Sequence, residues 1–178
     1  MTSNPVIRIL GLTLEKVADF RQNPQAKSSG LYAALDRRFH VSAIARPALT
    51  RQEHLLNRLR TFLPNRHAWR FRSAVSYWAF RQRTAHAEQA LQRHAGQYDL
   101  IVQLHTLFAP GAQPAQQRYV LHTDNTYMLS ERHFPLWAPL RGAQRDAWVA
   151  HEGEVYRNAA FLFPRSAFLA RSFIEDYG

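Results

Sequence analysis

The sequence predicts an α/β protein built on a mostly parallel sheet with helices on both faces. Three observations carry this expectation: short apolar runs rich in β-branched residues, little polar alternation within those runs, and amphipathic stretches between successive ones. At 178 residues the chain fits one domain over 1–178. A chain of this size hides about 70% of its unfolded surface on folding, enough for a sizeable core.

Residues 5–14 (PVIRILGLTL) open with a β-branched run and give way to a polar stretch ending Lys27-Ser28-Ser29-Gly30, which reads as a strand and a loop. A helix is expected over 30–39, with Leu31, Leu35 and Phe39 on one face and Ser28 or Ser29 as N-cap. HVSAIAR at 40–46 reads as a second strand closed by Pro47, completing a βαβ unit. The spacing then predicts a helix over 50–63, its apolar face made of Leu55, Leu56, Leu59 and Phe62, and a longer one over 69–94. The longer helix carries two apolar lines, one of Phe71, Val75 and Trp78, the other of Tyr77, Phe80, Thr84, Ala87 and Leu91. After Gly96 the strongest strand signal is YDLIVQLHTLF at 98–108, followed by RYVLHT at 118–123. The stretch between Phe108 and Tyr119 is too short for an ordinary crossover helix. A Pro- and aromatic-rich loop at 134–140, a helix at 142–158, a strand at 161–164 and a helix at 166–177 complete the pattern of a Rossmann-like sheet.

With no cysteine there is no disulfide, thiolate metal site or Cys nucleophile. No apolar stretch approaches the roughly 18 residues of a membrane span, and residues 1–5 lack the basic start of a signal peptide. A cytoplasmic location is expected. Charge is uneven: from Arg37 to His94 there are 12 arginines and only two acids, Glu53 and Glu88, whereas the rest of the chain balances. Such a segment attracts anionic partners in a salt-dependent way. Arg58, Arg60, Arg70 and Arg72, beside Trp69, Phe71 and Trp78, form the candidate patch for a membrane surface or another polyanion, with docking on the inner face of the membrane as the expected outcome.

In parallel α/β sheets ligands bind beyond the carboxyl ends of the strands. That rule selects the loops after Leu14, Leu104 and Leu121. At those ends lie Ser28-Ser29-Gly30 at the helix entry, His105-Thr106, and His122-Thr123-Asp124-Asn125-Thr126. A helix entry can hold phosphate through its free N–H groups, and Gly30 allows close approach. His122 beside Asp124 suits action on a hydroxyl or the holding of a phosphate. Ser29, Gly30, His105, Thr106 and Asn125 are the candidate substrate contacts. No HExxH, P-loop, GxSxG or paired metal-ligand spacing occurs.

The C-terminal third adds a further pointer. Trp148, Glu152, Glu154, Tyr156-Arg157-Asn158-Ala159 and Phe161-Leu162-Phe163-Pro164-Arg165-Ser166, with a helix closing on Asp176-Tyr177-Gly178, resembles the N-terminal domain of a GT-B glycosyltransferase, more narrowly the retaining family 4 group. The strands at Tyr98–Val102 and Val120–His122 agree with that group in kind and order. The resemblance implies one half of a GT-B architecture, holding a glycan or lipid-linked acceptor, with His122 at the reaction centre and Gly30 near the donor diphosphate. It also implies a nucleotide-sugar co-substrate, no metal or other cofactor, since that group holds the leaving diphosphate with side chains and helix ends, and a C-terminal donor-binding domain or subunit without which the domain is inactive. Two alternatives stand beside it: a basic nucleic-acid-binding module, for which no recognition-helix, zinc-finger or RNP-like motif is present, and a complete small Rossmann-like enzyme acting on a phosphorylated substrate.

Overall fold

The computed structural model describes residues 6–17 and 27–178. Five strands, β1 (Arg8–Leu12), β2 (His40–Ala45), β3 (Leu100–Leu104), β4 (Tyr119–Thr123) and β5 (Phe161–Pro164), form one sheet in the order β2-β1-β3-β4-β5, with every neighbouring pair parallel. Seven α-helices accompany them among the described residues: α1 (Lys27–Asp36), α2 (Arg51–Arg60), α3 (Arg66–Ala74), α4 (Tyr77–Arg93), α5 (Tyr127–His133), α6 (Gly142–Asn158) and α7 (Ala167–Tyr177). The expected Rossmann-like α/β sheet is thus present. Pro5, where the first strand was expected to begin, lies outside the described residues.

Both faces are covered over the central strands, which is why those strands read as continuous apolar runs, whereas β5 leaves Phe161 and Phe163 exposed. Leu10, Leu12, Ile101, Tyr119 and Leu121 pack with Phe80 and Leu91 of α4, Trp148 and Val155 of α6, and Leu169 and Phe173 of α7. Their strand neighbours Ile9, Val41, Val102 and Leu104 face the other way, against Tyr32 of α1. The β3–β4 connection is a crossover without an α-helix, carrying only a 3₁₀ turn at Pro114–Gln116, yet the strands it joins are parallel.

Four expectations are corrected. Helix α1 starts at Lys27, so Ser28 and Ser29 are buried within its first turn rather than capping it, and its fully buried ring is Tyr32, whereas Phe39 lies beyond the helix end and is exposed. The helix expected over 69–94 is two helices. The first starts earlier, at Arg66, capped by Asn65, whose side chain accepts from Ala68 N, and the second is capped by Ser76, whose hydroxyl accepts from Ala79 N at 3.1 Å. Ser hydroxyls offer the backbone such an alternative to helical continuation.

Helix α5, which lacks enough apolar periodicity to announce itself, is capped by Thr126, accepting from Leu129 N at 3.1 Å. The largest reversal is α2. Its leucine face points outward, with Leu55 62%, Leu59 66% and Phe62 62% exposed, and the residue it buries is Asn57 at 1%. Asn57 Nδ2 donates to Ser73 O and Ser73 Oγ at 2.8 and 2.9 Å, and its Oδ1 accepts from Ser76 Oγ. Helix α2 is therefore attached to α3 and α4 by hydrogen bonds, with its apolar side left over.

Candidate functional site

The chain leaves β1 toward β2 on one side of the sheet and returns to β3 on the other, so β1 and β3 are adjacent at a topological switch point. A crevice forms there because the connecting loops diverge. Its position is fixed by a close approach: a Cβ on Gly11 of β1 would lie 2.6 Å from Tyr32 Cε1, so α1 sits directly on the strand. The Tyr32 hydroxyl is within hydrogen-bonding distance of Leu12 O and Val102 O, at 3.3 and 3.2 Å, joining α1 to both strands at the switch point.

From β1, Thr13 is buried and its Oγ1 accepts from Glu15 N, orienting the turn that presents Glu15. Ser28 Oγ donates to Glu15 Oε2, and His105 Nε2 lies 3.4 Å from Glu15 Oε1. His105 has φ +68, a left-handed conformation that non-glycine residues rarely adopt. It is held from behind by Gln103, whose Nε2 donates to His105 O and Phe108 O at 2.9 Å each. From β4 comes His122, half-buried, then Asp124, whose carboxylate lies 3.7 Å from Arg165 Nη1 at the end of β5. These groups line a pocket of about 140 Å³. Burial pushes the His122 imidazole below its ordinary range, with Arg165 and His105 acting in the same direction and Asp124 opposing them. His122 is therefore a neutral acceptor at pH 7.

A second pocket of about 260 Å³ shares His105 and Asp124 with the first and extends beneath Phe71 and Trp137. Its polar lining includes Thr106, Asn125 and Glu152. Thr106 Oγ1 donates to Glu152 at 3.0 Å, and Asn125 Nδ2 donates to Ser130 Oγ. The fully buried Glu152 also accepts from Tyr127 N at 2.9 Å and from the Tyr177 hydroxyl.

The structure thus brings His105, His122 and Asp124 around one small pocket and places Thr106 and Asn125 in its neighbour. Gly30 and Ser29 line neither, whereas Ser28, in the same first turn of α1, lines the smaller pocket in the place expected for Ser29. Glu15 and Arg165 were not anticipated. Glu15 falls in the loop after Leu14 that the strand-end rule selects, and Arg165 directly follows the last strand. Among the described residues no three His, Asp or Glu side chains group as a metal site.

Fold and site together define a Rossmann-like α/β domain with a charged crevice at its switch point. Comparison with protein-family models, with curated proteins and with solved structures gives no match to the chain.

Proposed function

We propose that this domain is the acceptor-holding part of a glycosyltransferase that moves a sugar from a nucleotide-sugar donor to a glycan or lipid-linked acceptor, the donor being held by a second domain or subunit. The observation that carries the reading is the convergence of His122, Asp124, Glu15 and Arg165 on one strand-end pocket. Two carboxylates accept from sugar hydroxyls, Arg165 donates, and a neutral His122 accepts the hydrogen bond of the reacting hydroxyl. The acceptor oxygen gives up its proton to His122 and bonds to the anomeric carbon as that carbon's bond to the diphosphate breaks, and the diphosphate leaves with the electron pair. The resemblance of the C-terminal third to family 4 enzymes supports the same assignment.

In an enzyme with both domains, His122→Ala is expected to reduce turnover by about 10²-fold with the melting temperature unchanged. Activity should fall with acidity only below the ordinary histidine range, because the depressed pKa keeps the imidazole neutral there. Saturation-transfer NMR on residues 1–178 should show neutral glycosides binding, and Asp124→Asn weakening them. Wild-type turnover in a destabilised His122→Ala protein would make this a packing histidine and remove the reading.

We also propose that α2 and α3 dock on an anionic membrane surface. Exposed Leu55, Leu59 and Phe62 lie among Arg58, Arg60, Arg70 and Arg72, and among the described residues none of these arginines is in an ion pair. Arg58 lies over the Trp69 ring at 4.3 Å and Arg60 over Trp78 at 5.5 Å. A nucleic acid would match the arginines but leave the leucines in water; an anionic bilayer takes both, at about 1 kcal/mol per basic residue. Among the described residues no helix is long and apolar enough to cross a membrane. Vesicles of phosphatidylcholine with phosphatidylglycerol should sediment the protein, and pure phosphatidylcholine should not. Either Leu55→Ser with Leu59→Ser, or Gln at the four arginines, should abolish sedimentation. Full binding by the four-Gln variant would refute the docking.

A further inference from the structure

A third pocket, about 370 Å³, opens at the carboxyl ends of β1 and β2, beside the crevice but separate from it. Three arginines line it, Arg46 after β2, Arg51 at the start of α2 and Arg83 on α4, together with His54, and no carboxylate does. Arg83 is the informative member. Its Nη1 donates to two backbone carbonyls, Ala74 O at 2.9 Å and Leu107 O at 3.4 Å, while its Nε and Nη2 donate to no described residue. Burial pushes this guanidinium down to about 10, so it is still protonated at neutral pH, and no acid offsets it. A partly buried cation with no carboxylate beside it favours an anion that reaches its free donors. Arg46 Nε donates to Leu14 O at 2.9 Å, which holds the stem of that side chain against the loop preceding Glu15. The carboxylate in the first turn of α2, Glu53, is already engaged: Oε2 accepts from Thr50 N at 2.7 Å and Oε1 lies 3.1 Å from His86 Nε2.

We propose that this pocket binds a phosphate group, with Arg83 as the deep contact and Arg46 and Arg51 as the outer ones. Planar guanidinium forks match the oxygens of a phosphate, and a dianion balances several cations where a carboxylate balances one. The phosphate belongs either to a soluble sugar phosphate or to a lipid headgroup. The site goes beyond the acceptor reading and does not depend on it: neutral glycosides probe the crevice, phosphate probes this pocket.

The test is calorimetric titration and thermal shift of residues 1–178 with inorganic phosphate and with glucose 6-phosphate, against sodium chloride and glucose at matched ionic strength. Phosphate is expected to bind and to raise the melting temperature where chloride does not. Arg46→Gln with Arg51→Gln, both at exposed positions, is expected to weaken phosphate by about tenfold or more, with the phosphate-free melting temperature unchanged. Arg83→Met should abolish binding, and if that variant does not fold, the double variant decides. Tighter binding of glucose 6-phosphate than of phosphate identifies the soluble source. Binding of phosphatidylglycerol vesicles that is lost in the double variant, with no preference for glucose 6-phosphate, identifies the lipid. Equal effects of phosphate and chloride, or undiminished phosphate binding by the double variant, would overturn the proposal.

Discussion

Glu152→Ala will lower the melting temperature by about 10 °C, whereas Glu152→Gln will leave it close to wild type at acidic pH. Glu152 accepts from Thr106 Oγ1, Tyr127 N and the Tyr177 hydroxyl, and so joins the loop after β3, the start of α5 and the end of α7. Truncation leaves buried donors without an acceptor, at about 1–3 kcal/mol each, and about 3 kcal/mol shifts a domain of this size by roughly 6–12 °C. Burial pushes the Glu152 carboxyl above its ordinary range, against the hydrogen bonds it accepts. A raised carboxyl pKa gives stability that is whole below the unfolded-state value and is lost as the pH rises through the folded one. Glutamine mimics the protonated acid: its oxygen takes the two donors at Oε2 and its amide donates to the Thr106 hydroxyl. The difference between wild type and Gln should therefore grow in favour of Gln as the pH rises from acidic to mildly alkaline, which thermal melts across pH measure directly. Gln melting as low as Ala would show that the ionised carboxylate is what the site requires.

The second large effect is Gly11→Ala. The added Cβ would lie 2.6 and 2.8 Å from Tyr32 Cε1 and Cζ and 3.1 Å from Ile44 Cγ1. Tyr32 is fully buried and its hydroxyl is engaged with β1 and β3, so the ring has nowhere to move. Overpacking of this kind destabilises by about 1–3 kcal/mol. In urea unfolding, Gly11→Ala should be less damaging in a Tyr32→Leu background than alone, because the colliding atoms are gone. Strict additivity would mean that the contact is not what forbids a side chain at position 11. Displacing α1 also moves Ser28 away from Glu15, so glycoside binding should weaken together with stability.

The sheet was legible because each strand is apolar on both faces, which marks a parallel sheet without any knowledge of the partners. The order of helices followed from the breaks at Pro47, Pro64 and Gly96. Two things were hidden. Periodicity shows that α2 has an apolar side but not which way it faces, and the anchoring by Asn57, Ser73 and Ser76 depends on residues that look ordinary in sequence. The site was legible at His105, His122 and Asp124 because strand ends can be read locally. Glu15 and Arg165 join it through the fold, across 90 and 41 positions from His105 and Asp124. The close approach at Gly11 is invisible in the sequence, because the atoms that forbid a side chain there belong to Tyr32 and Ile44 and meet it only through the fold.

Strand β5 carries a consequence for behaviour in concentrated solution. On the side away from β4 no other strand pairs with it among the described residues, and Phe161 and Phe163 lie exposed, 4.6 Å apart between ring centres. An open edge with aromatic side chains is a template on which a foreign strand can grow. Its brevity, four residues, makes that template shorter than an aggregating segment needs; Pro164 ends the ladder on the other side, because with Ala160 N donating to Tyr119 O the N–H groups facing β4 fall at 160, 162 and 164. The shortness of β5 therefore sets how few outward donors and acceptors a foreign strand finds on this edge.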